Sequence, residues 1–228
     1  MAQDEPWLSF ERGTEADLEQ FVAKAPPGRP IRLSLAGEAW GPRAGEIIAF
    51  ARSGLDLRAV FVRGAPLGDD GLGALAGSPA LASVRTLGVE RCGLTDQGVR
   101  WLAQSPHVNG LRELYLCNRE GLETGPLNQI GDAGAVALAA SPSLGQLETL
   151  DLWNTGVGDA GLEALVASAH LPRLSSLTAW KTCLTREGLS RVKAAAAKAY
   201  ERRQVTLAGA RYCWVHSDYD ERLITYES

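Results

Sequence analysis

The sequence predicts an α/β solenoid, with short parallel strands lining a concave sheet and helices forming a convex back. Three observations carry this. Segments of the form L-x-x-L-x-L recur through the 228 residues, with the middle apolar residue at Leu33, Val60, Leu87, Leu114, Leu150, Leu177 and Val205. The intervals are 27, 27, 27, 36, 27 and 28 residues, a period of the kind that marks stacked units. Each segment is followed by a G-x-x-x-L-A-like run, beginning at Gly71, Gly98, Gly134, Gly161 and, in a looser form, Gly188. One unit cannot bury its apolar face alone, but stacked neighbours can. The expectation is about seven 27-residue units plus an N-terminal cap, arranged as one horseshoe arc with one core.

Residues 1–29 read as the cap. Trp7 to Phe10 forms a strand, Thr14 and Asp17 make a capping box for a helix through about Lys24, and Pro26-Pro27-Gly28 stops it. Residues 30–210 hold the repeats. Within one unit, Leu150 and Leu152 share a face at the strand period of two, and Val157, Leu162 and Leu165 form the buried stripe of a helix. Thr95 and Thr185 sit at helix N-caps with Asp96 and Glu187 in the first turn, near the positive end of the dipole. Gly68, Gly131 and Gly158 replace threonine in other units. Ser78-Pro79, Ser105-Pro106 and Ser141-Pro142 stop the helices, because proline disfavours helix at the residue before it.

The 36-residue interval contains nine extra residues within 119–129, between a strand and its helix. Such insertions map to loops, often on a binding face. They are also cheap to accommodate, since closure entropy grows slowly with length. After the last helix, Val205 to Leu207 reads as a strand. In residues 211–228, Tyr212 to Val215 and Leu223 to Tyr226 form either a hairpin over the C-terminal end or a tail that docks a partner.

Composition agrees with this architecture. Leucine (32) and alanine (33) dominate the chain, the one filling the strand and helix stripes and the other letting helices approach closely. So much leucine excludes a disordered chain, and no apolar run reaches the ~20 residues of a membrane span. The start lacks a secretory signal, and the net charge of −4 gives no footprint for nucleic acid or anionic lipid. Cys92, Cys117, Cys183 and Cys213 are widely spaced, as are the three histidines. This argues for free thiols in a cytoplasmic protein and against a metal site. The 19 arginines against 4 lysines suggest a GC-rich bacterial source.

The L-x-x-L-x-L strands and "T-D-x-G-L-x-x-L-A"-like helices resemble the leucine-rich repeat family, in particular its ribonuclease-inhibitor-like and GALA-type bacterial subclasses. The ninth position, usually Asn or Cys in that family, is Cys92, Thr155 and Thr182 here. The resemblance covers roughly residues 30–210 and implies a scaffold with many unrelated partners.

The strand residues between the leucines face the concave side and need no burial. Reading them in register places Tyr115, Trp153 and Trp180 on adjacent strands, with Glu113, Asp151, Asn118, Asn154 and Lys181 around them and Arg91 nearby. Tyr and Trp dominate interface hot spots, and an exposed aromatic patch with a polar rim marks an interaction site. The opposing reading is that Trp153 and Trp180 stack on each other beneath a roof formed by Leu122 to Leu127. Trp101, on a helix, is expected to pack between neighbouring helices rather than to serve as a convex binding spot.

No G-x-S-x-G elbow, P-loop or G-x-G-x-x-G motif is present. Cys117 is the only conceivable concave nucleophile, with no histidine on that face to activate it. The expected function is therefore a non-enzymatic scaffold that binds a protein or peptide on its concave face. It is expected to need no cofactor and to engage neither nucleic acid nor membrane. The alternatives are a regulator of a GTPase or other nucleotide-handling enzyme, acting through Arg63, Arg91 or Asn118, and recruitment through the C-terminal tail.

Overall fold

The computed structural model describes residues 7–50, 55–119, 125–204 and 214–216. The strands are β1 (Leu8–Phe10), β2 (Pro30–Ala36), β3 (Asp56–Arg63), β4 (Thr86–Glu90), β5 (Glu113–Tyr115), β6 (Thr149–Asp151), β7 (Ser176–Thr178) and β8 (Trp214–His216). They alternate with helices α1 (Glu15–Lys24), α2 (Pro42–Ala49), α3 (Gly68–Ala76), α4 (Asp96–Gln104), α5 (Asp132–Ala139), α6 (Asp159–Ala167) and α7 (Arg186–Gln204). The strands form one parallel eight-stranded sheet in strict chain order. This is the leucine-rich repeat solenoid the period predicts.

The register follows the leucine ladder. Leu33, Val60, Leu87, Leu114, Leu150 and Leu177 pair in sequence across β2 to β7, and all six are fully buried. Full burial of each such side chain contributes about 1.5–3 kcal/mol. A second tier, Leu35, Val62, Val89, Leu116 and Leu152, is also fully buried between sheet and helices. The N-terminal unit forms as its sequence indicates. Thr14 and Asp17 close a capping box on α1, and β1 pairs parallel to β2.

One strand differs from expectation. The residue that pairs with Leu177 is Val215, in β8. The 205–207 strand lies outside the described residues, as does the 223–226 arm of the hairpin. The segment around Val215 instead adds parallel to β7. The helix α7 runs on to Gln204, and the strand that pairs with β7 places Val215 38 residues after Leu177 rather than 28.

Two hydrogen-bond series tie the helices to one another. At the N-terminal ends of α4 to α7, an aspartate of the preceding unit serves the helix. Asp69 accepts from the backbone N–H and hydroxyl of Thr95, and Asp159 does the same for Thr185. Where glycine is the N-cap, the aspartate replaces the missing side chain. Asp96 Oδ1 accepts from the N–H of Gly131 and Gly134, and Asp132 Oδ1 from the N–H of Gly158 and Gly161. Gly131 and Gly158 are thus compensated from the preceding repeat, which satisfies donors that a helix start otherwise leaves open. At the C-terminal ends, Ser78, Ser105, Ser141 and Ser168 donate to the carbonyls of Ala49, Ala76, Ala103 and Ala139. These serines, three of them before proline, therefore stitch helices together at the ends where the helices stop.

Candidate functional site

The concave face is built from three rows of strand and post-strand residues. The central row, Ser34, Phe61, Gly88, Tyr115, Asp151 and Thr178, is in the expected register. The row beyond it ends in Trp153 and Trp180, whose rings stack at 6.2 Å between centroids and 27° between planes. Both rings are half-buried, and Trp153 Nε1 is buried without an acceptor. A buried N–H left unpaired is uncommon.

Polar groups surround the pair. Tyr115 donates its hydroxyl to Glu113 Oε2 at 3.2 Å, and Thr86 donates to the same oxygen. Burial first, then the charge of Glu113, pushes the Tyr115 phenol up to about 12. Asp151 Oδ1 accepts from the backbone N–H of Trp153 at 2.9 Å, and Oδ2 from Arg119 Nη2 at 2.5 Å. The Arg119 guanidinium also stands 5.8 Å from the Trp153 ring centroid, within cation–π range. Burial opposes the Arg119 charge, but hydrogen bonding to Asp151, the Asp151 charge and Cys117 outweigh it and raise its pKa.

A second cluster repeats this chemistry two strands before β5. Phe61 lies under Arg63 at 4.4 Å and Arg32 at 5.1 Å, and Arg63 Nε donates to the buried Glu90 at 2.9 Å. Gly88 makes room for it: a Cβ there would stand 2.5 Å from the Phe61 ring. Phe61 then reaches Tyr115 at 6.4 Å. Phe61 occupies the concave row in sequence, and that position was the available signal. Of its arginine partners, Arg63 follows it on β3, while Arg32 comes from the preceding unit and needs the fold to be seen.

Several expected site residues are placed differently. Asn118 is buried rather than exposed. Its Nδ2 donates to the carbonyls of Asn128 and Asn154, and its Oδ1 accepts from the N–H of Asn128. It belongs to the frame. Asp151 is likewise buried, under Arg119, and forms the floor of the face instead of its rim. Cys117 is buried, and burial together with the charges of Asp151 and Glu90 pushes its thiol up to about 12, which leaves little thiolate near neutral pH. His216 pairs in register with Thr178, so a histidine does occupy a position on this sheet, three strands from β5. Arg91, Asn154 and Lys181 follow their strands in left-handed turns with φ of 51°, 55° and 53°. Gly37 and Gly64 hold the same place in earlier units, with φ of 97° and 60°. That row serves chain reversal, a conformation that L side chains adopt at some cost.

The insertion is now bounded. Asn128 takes the ninth motif position, its Oδ1 accepting from the N–H of Cys92 and Leu94 and its Nδ2 donating to the carbonyls of Val89 and Leu116. The nine extra residues are therefore 119–127. Its returning arm lies on the preceding repeats: Gly93 donates its N–H to the carbonyl of Pro126, and Gly125 sits against Gly64 and Arg91. That described arm is not over the tryptophans; residues 122–124 of the expected roof lie outside the described residues.

On the convex side, Trp101 packs its ring on Gly73 of the neighbouring helix yet remains 37% exposed. It borders a groove with Asp70, Gln104 and Pro106. Among the described residues no helix is long and apolar enough to cross a membrane, and no group of three potential ligands could hold a metal ion.

Stacked strand–turn–helix units with one parallel sheet define the class: a leucine-rich repeat solenoid. A family model described as Leucine Rich repeat matches residues 127–139 and 147–166, the helix after the insertion and then β6 with most of α6. Together with the sheet topology, the match supports a leucine-rich repeat protein. No curated protein matches the chain significantly.

Proposed function

We propose that the protein is a non-enzymatic scaffold that binds a protein or peptide on its concave face, centred on Tyr115, Trp153 and Trp180. The observation that carries this reading is the stacked Trp153–Trp180 pair, half-open to solvent beside the Tyr115–Glu113 and Arg119–Asp151 pairs. Large aromatic surface with charged groups at its edge is the composition of an interface hot spot. Glu113 borders the aromatics, and Arg91, Asn154 and Lys181 occupy the turns that follow their strands.

The regulator of a nucleotide-handling enzyme is less well supported. Arg63 is held by Glu90, and Asn118 is inside the frame, so two of the polar groups it would use are committed. The test compares partners captured by the wild type and by the Tyr115→Ala/Trp153→Ala/Trp180→Ala variant, with circular dichroism as a check of folding. Partners lost only from the variant support the concave reading. The same partners retained by a folded variant remove it.

A further inference from the structure

We propose that the concave site is built to receive a cationic side chain of an extended peptide, with Arg119 as a resident stand-in for it. This rests on the concave-face reading. The floor of the site is a carboxylate, Asp151, whose side chain is 2% exposed while the arginine that covers it is 51% exposed. The carboxylate thus belongs to the frame and the guanidinium to the surface. Arg119 makes the contacts a ligand cation would make: a 2.5 Å charge-assisted bond to Oδ2 and a position on the Trp153 ring.

Arg119 is also the first residue of the insertion, directly after Asn118, whose amide is fixed by three hydrogen bonds. Trp153 Nε1 is an N–H left without an acceptor in the present arrangement. Polar satisfaction is therefore incomplete with Arg119 in place, and the carbonyl of a peptide accompanying the incoming cation would supply an acceptor. Glu113 and the Tyr115 hydroxyl add negative and accepting character beside the floor, favouring arginine or lysine over acidic residues.

The test uses fluorescein-labelled nonapeptides of glycine and serine carrying three arginines, three lysines or three glutamates, read by fluorescence anisotropy. An intramolecular competitor acts at an effective concentration on the order of millimolar, so removing it strengthens a weak ligand by about tenfold. The arginine peptide is expected to bind Arg119→Ala, and equally Arg119→Gln should the first variant fail to fold, about tenfold more tightly than wild type. Asp151→Asn in either background is expected to erase the gain. Unchanged or weaker binding in the folded Arg119 variants overturns the proposal, as does a gain that survives Asp151→Asn. Preference for the glutamate peptide also overturns it while leaving the concave-face reading standing. Aromatic-dependent partner capture without any binding of the cationic peptides does the same.

Discussion

Asp132 of one repeat accepts the backbone N–H of Gly161, in the next, at 3.0 Å. A Cβ on Gly161 would stand 2.7 Å from that same oxygen. The glycine that recurs at the third helical position is thus the counterpart of the recurring aspartate, since it lets the carboxylate approach. A Cβ on Gly98, Gly134 or Gly188 would likewise crowd Asp69, Asp96 or Asp159, and Gly134 also donates its N–H to Asp96, whereas the N–H of Gly188 goes to Thr185 Oγ1.

Gly161→Ala should therefore destabilise the protein by about 1–3 kcal/mol, although alanine is favoured over glycine in helices by about 1 kcal/mol. Asp132→Ala removes the acceptor for two helix-start donors and should cost about 1–2 kcal/mol. Urea midpoints of both variants check this. A stabilised Gly161→Ala would mean that the carboxylate is not needed there.

Asn128 satisfies two backbone donors and two backbone carbonyls in a buried position. Asn128→Ala should cost about 2–4 kcal/mol, because groups that no water reaches lose their partners. Asn128→Asp should also be costly, since its second oxygen faces the carbonyls of Val89 and Leu116. Thermal melts would show a larger loss for either than for a substitution at the exposed Leu127.

Accessible and inaccessible thiols should separate cleanly. Cys183 is exposed, whereas Cys92 and Cys117 are buried with thiols pushed up to about 12, by burial first in both cases. At pH 8 an aromatic disulfide reagent should modify Cys183 rapidly, and Cys92 and Cys117 only on unfolding, as site-resolved mass spectrometry would show. The same shifts make a pH prediction. Groups whose pKa is raised on folding contribute stability that is complete below their unfolded values, near 9 for cysteine and 10 for Tyr115, and lost as pH rises toward 12. The urea midpoint should hold steady from pH 7 to 8.5 and fall above it.

Asp159 predicts the acid side. The N–H and hydroxyl of Thr185, then Arg191, hold its carboxyl below the usual value of 3.8. A carboxylate lowered in the folded state stabilises above its unfolded value, and that contribution is lost as pH falls through the folded one. Asp159→Asn should be less stable than wild type at pH 6, and the difference should close by about pH 2. A difference that does not change with pH would assign the effect to packing.

The period and register from Leu33 to Leu177 were legible because one-dimensional spacing maps directly onto a parallel sheet. The terminal strand was not: Val205 fits the apolar pattern as well as Val215, and only the length of α7 decides between them. At the candidate site, Tyr115 pairs in register with Asp151, and Trp153 and Trp180 stack just past the ends of β6 and β7. The assumption that every residue between the leucines is solvated failed at Asp151, which Arg119 covers, and the residues just past the strand, Cys117 and Asn118, are also buried. Strands lie only about 4.8 Å apart, so a large neighbour covers a small one. Asn128 was recoverable, since adding nine residues to the expected ninth position, 119, lands on it.

The aspartate clasps all point one way. Each is contributed by the earlier unit and consumed by the later, from Asp69 to Thr95 through Asp159 to Thr185. Removing a unit from the amino-terminal side would strand helix-start amides in the unit behind it, whereas removing one from the carboxyl-terminal side would only return a carboxylate to water. From α4 to α7 each helix is thus finished by material already synthesised, so that on a ribosome each of these repeats emerges onto a template waiting to receive it.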